Sequence, residues 1–299
     1  MLNFMKTSYL YGFILFVSGA ICCHAQTPSN ANYPSYRYAL VRDLSSSFEN
    51  SLKLNPPPIP IDLSLAKQQH EAYIQLLETL VQDVIRVEAD ANHPDCNFIE
   101  DTAIIVGDTA VISRMGAIER QGEEIPVAQA LEQLGVNPIL HIQAPGTMDG
   151  GDILYTGKHL FVGLSRRTNA LALQQLQEIF QGSIDVIGIP VTEGLHLKSV
   201  ISFFDSETLV IAATDAGLHI QNEIENVTNQ DYTFISVPDS TASNVLRIGS
   251  TLIVQDGFPV SKEILQAFCD QKQVNLVTIN MSELIKADGA LTCGCLLFN

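Results

Sequence analysis

Residues 102–113 read TAIIVGDTAVIS, and this stretch decides the fold. Two short β-branched runs flank Gly107-Asp108, a two-residue turn signal, so the spacing predicts a β-hairpin. A strand over 84–89 and a polar loop over 92–100 precede it. A helix over 125–134 follows and stops at Gly135, whose freedom to adopt a left-handed conformation ends helices. The same order then returns. A strand over 139–143 and a loop over 144–150 lead into a hairpin over 152–164, DILYTGKHLFVGL, which turns at Thr156-Gly157-Lys158. A helix over 170–180 ends before Gly182. A third unit has a strand over 185–191, a loop over 192–195 and a hairpin over 196–212. A fourth has a strand over 233–237, a hairpin over 244–255 and a helix over 261–272. A fifth begins with a strand over 274–279 and a hairpin-like segment over 289–298. The strand over 38–42 and the helix over 63–84 are available to complete it. Hairpins recur at roughly 45–50-residue intervals, a period that marks propeller and repeat architectures. A doubly wound α/β sheet is the competing reading, but its strands connect through helices and leave the repeated hairpins unexplained. The expected fold is therefore α/β: a five-bladed propeller of ββαβ repeats around a central active site, with helices outside and equivalent loops converging on one axis.

Composition limits the partners. The chain has 299 residues, 46% of them apolar, enough for a substantial core. Asp and Glu number 33 against 16 Lys and Arg, a net charge of -17. Phosphate recognition needs clustered cations, so nucleic acid is not an expected partner. A small cationic substrate suits this field better.

The first 25 residues carry one charge, Lys6, ahead of an apolar run over 10–23. Cys23-His24-Ala25 before Gln26 resembles a small-x-small cleavage site, so 1–25 reads as a secretory signal peptide. The run is short for a membrane span. Residues 26–36 form a linker, and 37–299 one catalytic domain. The chain is expected to be exported if the leader is cleaved and cytoplasmic otherwise, with no membrane span in the mature protein. Beyond the leader remain Cys96, Cys269, Cys293 and Cys295. They are too few for a disulfide framework, and Cys293-x-Cys295 lacks zinc-site spacing, so no structural metal is expected. A disulfide at Cys96 stays open.

The loops hold an uncommon set of polar residues. Asp95, Cys96, Glu100 and Asp101 lie in the first, Asp149 in the second, His196 in the third, and Asp288 and Cys293 in the last. Each has a plainer reading: a buried thiol, a satisfied core histidine, a turn-capping carboxylate. Together, a Cys, a His and several carboxylates delivered from separate units are the components of a thiol nucleophile system.

Pro94-Asp95-Cys96-x-Phe98-Ile99-Glu100-Asp101 resembles the substrate-contacting segment of dimethylarginine dimethylaminohydrolases. So do Asp149-Gly150-Gly151-Asp152, Phe161-Val162-Gly163-Leu164-Ser165-x-Arg167-Thr168-Asn169 and Gly194-Leu195-His196-Leu197-Lys198-Ser199. The closing Ala287-Asp288-Gly289-Ala290-Leu291-Thr292-Cys293 is similar as well. The resemblance implies the five-bladed pentein fold of guanidino-modifying enzymes and hydrolysis of Nω-methylated arginine to citrulline, without cofactor or metal. It implies Cys293 as nucleophile, His196 as general acid and base, and Asp149 as the carboxylate orienting the histidine. Asp95, Glu100 and Asp101 would surround the guanidinium and amine. Arg120 and Arg167 would hold the amino-acid end, Ala287 and Asp288 would form the final contact pair, and Leu52 would be the lid leucine. An arginine deiminase, an amidinotransferase and a non-catalytic binder of cationic amino acids are the rival readings. Cys293-Gly294-Cys295 departs from the adjacent cysteine pair common in the family.

Overall fold

Every hairpin of the chain is followed by a helix that returns the backbone to the same sheet, and this rule generates the whole architecture. The structure, a computed structural model, describes residues 35–229 and 231–299. The expected leader over 1–25, and all of the 26–36 linker except its last two residues, lie outside the described residues. Strand β1 (Tyr38–Arg42) leads through helix α1 (Leu63–Glu78) to β2 (Asp83–Val87), and β1 and β2 pair in parallel. Strands β3 (Ala103–Val106) and β4 (Thr109–Ile112) form the first hairpin, paired Val106↔Thr109 across a turn where Gly107 has φ 59°. Helix α2 (Glu124–Gln133) carries the chain to β5 (Ile139–His141), parallel to β4. The pattern repeats with β6 (Ile153–Tyr155), β7 (His159–Leu164), α3 (Ala170–Ile179) and β8 (Asp185–Pro190). It repeats again with β9 (Ile201–Asp205), β10 (Thr208–Ala212), α4 (Asp215–Thr228) and β11 (Thr233–Val237). After a one-turn helix α5 (Ser240–Ser243) come β12 (Leu246–Ile248), β13 (Thr251–Gln255), α6 (Pro259–Lys272) and β14 (Asn275–Ile279). The one-turn α7 (Ser282–Ile285) precedes β15 (Leu296–Phe298), which pairs antiparallel with β1. The five three-stranded sheets are thus five ββαβ blades, and the C-terminal strand completes the blade the N-terminal strand began.

Two expectations shift. The strand after each helix joins the sheet of the preceding hairpin, so β5 pairs with β4 rather than opening the next unit. Helix α1 ends at Glu78, leaving room for β2. The stretch between the third hairpin and 233, left without an element in the sequence, forms α4. Thr214 caps it by accepting from the Gly217 N–H, which contributes about 1 kcal/mol. Its buried face is Ile220, Ile224 and Thr228, with Gly217 pressed against β10.

Five apolar cores hold the ring, each between neighbouring blades and roofed by one helix. Val127 and Leu131 of α2 pack with Leu40, Ile112 and Leu296, while Leu176 of α3 packs with Val111, Leu160 and Val162. Ile224 of α4, Leu265 of α6 and Leu77 of α1 serve the other three. Full burial of such a side chain contributes roughly 1.5–3 kcal/mol. Because each core is shared by two blades, no blade is complete without its neighbours. No helix among the described residues is long and apolar enough to cross a membrane.

Candidate active site

The same structural position supplies the chemistry in every blade. A tight helical turn directly precedes the first hairpin strand: Ile99–Thr102, Gly150–Asp152, Leu197–Ser199, α5 and Thr292–Gly294. These five turns meet at one end of the axis. They carry Glu100 and Asp101, follow Asp149 and His196, precede Asn244, and carry Cys293.

His196 Nε2 lies 3.1 Å from Asp149 Oδ2. Asp149 is fully buried and also accepts from the Gly116 N–H at 2.8 Å and from Arg167 Nη1 at 3.1 Å. Burial alone would raise its pKa, but His196, Arg120 and the Gly116 amide hold it well below the usual carboxylate range. Burial alone would lower the pKa of His196. The carboxylates of Asp101, Asp152 and Asp149 outweigh that and lift it to about 9, so the resting imidazole is protonated at neutral pH. Asp101 Oδ1 stands 3.9 Å from His196 Nδ1 and accepts from the Gly151 N–H at 2.9 Å. Only glycine fits at 151: a Cβ there would lie 2.5 Å from His196 Nδ1.

Cys293 and His196 line one cavity of about 190 Å³, together with Glu100, Gly151, Lys198, Asn244, Asp288 and Leu54. Burial, then Glu100 and Asp101, push the Cys293 thiol far above its ordinary value; Lys198 opposes them. Burial and negative neighbours disfavour a thiolate, so this sulfur rests as a thiol. Cys96, Cys269, Cys293 and Cys295 are all free, so among the described residues Cys96 forms no disulfide. Cys295 is buried, its thiol 3.2 Å from the Tyr73 hydroxyl, and burial pushes its pKa up to about 12.

The remaining expected site residues fall into two groups. Glu100 and Asp288 line the cavity with Cys293 and His196. Asp95, Asp101, Asp149, Arg120, Arg167, Leu52 and Ala287 stand behind its wall or at its rim. Arg120, expected at the amino-acid end of the substrate, is engaged by the protein itself. It is only 3% exposed, and its guanidinium is taken by Asp101 at 2.6 Å, by Glu123 at 2.8 Å and by the Phe98 carbonyl. Its place is beneath the acidic wall, where an unpaired carboxylate pair would be costly. Arg167 is likewise engaged by Asp149. Asp95 accepts from the Leu52 N–H with both oxygens, at 3.2 and 3.1 Å, and Asp288 accepts from the Leu54 N–H at 2.6 Å. These three bonds pin the 52–54 segment, and Leu54 rather than Leu52 lines the cavity. Asp101, Asp149 and His196 bring one donor atom each within 4.8 Å of one another. Arg120 already engages Asp101 and Arg167 already engages Asp149.

Sequence reasoning missed Asp152, Lys198, Asn244 and Thr292 as parts of the site. Asp152 is fully buried and accepts from the Leu197 N–H at 2.9 Å, clamping the residue after His196. Burial raises its pKa to about 6. Asp152 and Lys198 stand inside motifs already singled out, so position beside Gly151 and His196 was the available signal.

A ring of five ββαβ blades, with a thiol and a carboxylate-held imidazole facing across an acid-walled axial pocket, defines a pentein of the guanidino-modifying class. A model of the arginine deiminase family matches residues 91–297. The chain is 30% identical over 259 residues to an N(G),N(G)-dimethylarginine dimethylaminohydrolase of Streptomyces coelicolor, spanning 85% of this chain and 94% of that one. It is 28% identical to the enzyme of that name from Pseudomonas aeruginosa, over 79% of this chain and 90% of the relative. The solved structure of the Pseudomonas aeruginosa protein, a cysteine-to-serine mutant complexed with citrulline, superposes with a TM-score of 0.79 at 25% identity, covering 89% of this chain and all of that one. The chain belongs to the arginine deiminase family and, within it, to the dimethylarginine dimethylaminohydrolases.

Proposed function

We propose that this protein hydrolyses Nω-methylated arginine to citrulline, releasing dimethylamine or methylamine, through a covalent adduct on Cys293. The observation that carries the reading is the shared cavity: Cys293 and His196 face it, and Glu100 and Asp288 give it an acidic wall. The relatives named above supply the substrate class.

The guanidinium is a planar cation, and carboxylates hold it by charge-assisted hydrogen bonds. Its arrival places positive charge beside the sulfur and reverses the effect of Glu100 and Asp101 on the thiol. The Cys293 proton leaves to solvent, and Sγ bonds to the guanidinium carbon. His196, resting as imidazolium, donates its proton to the substituted nitrogen. The C–N bond breaks, dimethylamine departs, and a thiouronium remains on sulfur. His196 is now neutral and accepts a proton from water as the water oxygen bonds to the same carbon. The C–S bond breaks, citrulline leaves, and sulfur regains its proton. One imidazole serves both halves because the first half leaves it in the form the second requires. Asp149 keeps the ring aimed and Asp152 fixes the backbone beside it.

The N-terminal segment supports a further reading: the chain is made with a cleavable leader over 1–25 and is exported.

The test is incubation of the purified chain with asymmetric dimethylarginine and, separately, arginine. Equimolar citrulline and dimethylamine from the first supports the reading. Ammonia from arginine with no dimethylamine from the methylated substrate would assign the protein to arginine deiminase chemistry, and binding without product would leave a cationic amino-acid binder.

A further inference from the structure

Glu100 belongs to the wall expected to grip the substrate, yet both of its carboxylate oxygens already hold donors from the protein. Lys198 Nζ donates to Oε1 at 2.5 Å, and the Thr292 hydroxyl donates to Oε2 at 2.8 Å. The arrangement is closed by Asn244. Its Oδ1 accepts from the Thr292 N–H at 3.0 Å, and its Nδ2 donates to Thr292 Oγ1 at 3.1 Å and to the Lys198 carbonyl at 3.0 Å. Four blades therefore contribute to one ring around the Glu100 carboxylate. Lys198 and Glu100 side chains are each only 11% exposed, and both line the Cys293 cavity.

We infer that Lys198 is a specificity-determining residue, which favours a guanidinium whose terminal nitrogen carries methyl groups over an unmethylated one by holding Glu100 satisfied without substrate N–H donors. The inference rests on the function proposed above. A buried acceptor that depends on a substrate N–H rejects an analogue lacking it, because the acceptor is then left unpaired; such sites discriminate by factors of about 10⁴ or more. A dimethylated nitrogen has no N–H to offer. In a site where Glu100 waited for that donor, methylation would be heavily penalised. Here each Glu100 oxygen keeps its protein partner whichever substrate is bound, so the penalty disappears. Arginine, with its extra N–H groups, gains little from the same oxygens. The Lys198 ammonium also balances the Glu100 charge, as Arg120 balances Asp101, leaving Asp288 as the carboxylate of the cavity lining that makes no ion pair among the described residues.

The experiment measures kcat/KM for asymmetric dimethylarginine and for arginine, and takes their ratio, in wild type, Lys198→Met and Lys198→Arg. A ratio cancels losses of active fraction, so damage to folding alone leaves it unchanged. Lys198→Met is expected to move it toward arginine by at least about tenfold, since one Glu100 oxygen then seeks a substrate donor. Lys198→Arg, which restores a cationic donor, is expected to return most of the wild-type preference. Thr292→Val frees the other Glu100 oxygen and leaves Lys198 in place; it is expected to shift the ratio in the same direction and serves if Lys198→Met does not fold. An unchanged ratio in a folded variant overturns the inference alone, with wild-type release of dimethylamine still standing. Wild type that prefers arginine overturns both this inference and the function on which it rests.

Discussion

His196 Nε2 and Asp149 Oδ2 stand 3.1 Å apart although 47 residues separate them in the chain. Both follow from one rule of the fold, that the residue just before the helical turn leading into a blade's first hairpin strand is delivered to the axis. The pair fixes the imidazole's orientation and its charge at once.

That charge gives the protein a defined pH dependence. His196 has its pKa lifted from 6.5 to about 9 in the fold, so its contribution to stability is complete below pH 6.5 and is lost as the pH rises through about 9. Asp149 is depressed below its ordinary 3.8, so its contribution is present above that value and is lost as the pH falls below it. Between 3.8 and 6.5 both act fully. Asp149→Asn is expected to lose about 3–5 kcal/mol there, the cost of leaving a buried partner charge uncompensated. Denaturant unfolding across pH measures it, and a variant as stable as wild type throughout that window would contradict the pairing.

Cys293→Ser is expected to keep its fold and lose turnover by at least about 10³-fold, since a hydroxyl is far less ionised and less nucleophilic than a thiol. Mass spectrometry of wild-type protein quenched during turnover should find the added mass on the peptide containing Cys293. An adduct on Cys295 instead would move the nucleophile.

Asp152→Asn should lower the titration midpoint of His196 by about one unit, equivalent to about 1.4 kcal/mol, because one of the carboxylates that raise it is neutralised. Nuclear magnetic resonance of the imidazole reads the midpoint directly. An unmoved midpoint would reduce Asp152 to a backbone clamp on Leu197.

Gly151→Ala forces a methyl group to within 2.5 Å of His196 Nδ1 and 2.8 Å of Asp101 Oδ1. Overpacking of this kind costs about 1–3 kcal/mol. A displacement of roughly 1 Å in a catalytic group can cost about 10²-fold in rate. Activity should therefore fall further than the melting temperature implies; equal wild-type kcat would show that the ring tolerates displacement.

If the leader is cleaved where the small-residue pattern places it, N-terminal sequencing of protein expressed in an exporting host begins at Gln26. Retention of Met1 in the exported fraction would remove the cleavage proposal.

Much of the ring was legible in the chain itself. Gly107-Asp108 and Thr156-Gly157-Lys158 announce hairpins because turns with positive φ demand specific residues, and Gly107 and Gly157 do adopt φ of 59° and 84°. Helices α2, α3 and α6 carry their apolar spacing openly. Helix α4 carries the same kind of signal, a Thr214 cap with Ile220 and Ile224 four residues apart on one face, so nothing in its spacing explains why it went unread. The one-element offset of the blades was hidden: periodicity identifies a strand but says nothing about which sheet it joins.

Sequence by itself determined the elements, their repeat, the family and the identity of the thiol, the imidazole and the acidic wall, because turn chemistry, apolar spacing and motifs are written within a few residues of one another. Closure of the ring decided which of those groups touch. It set Arg120, expected at the substrate, against Asp101 and Glu123. It also brought Lys198 and Thr292 onto Glu100 from 98 and 192 residues away. Electrostatic partnership depends on distance and burial in three dimensions, and neither is fixed until five separate cores pull the blades around one axis.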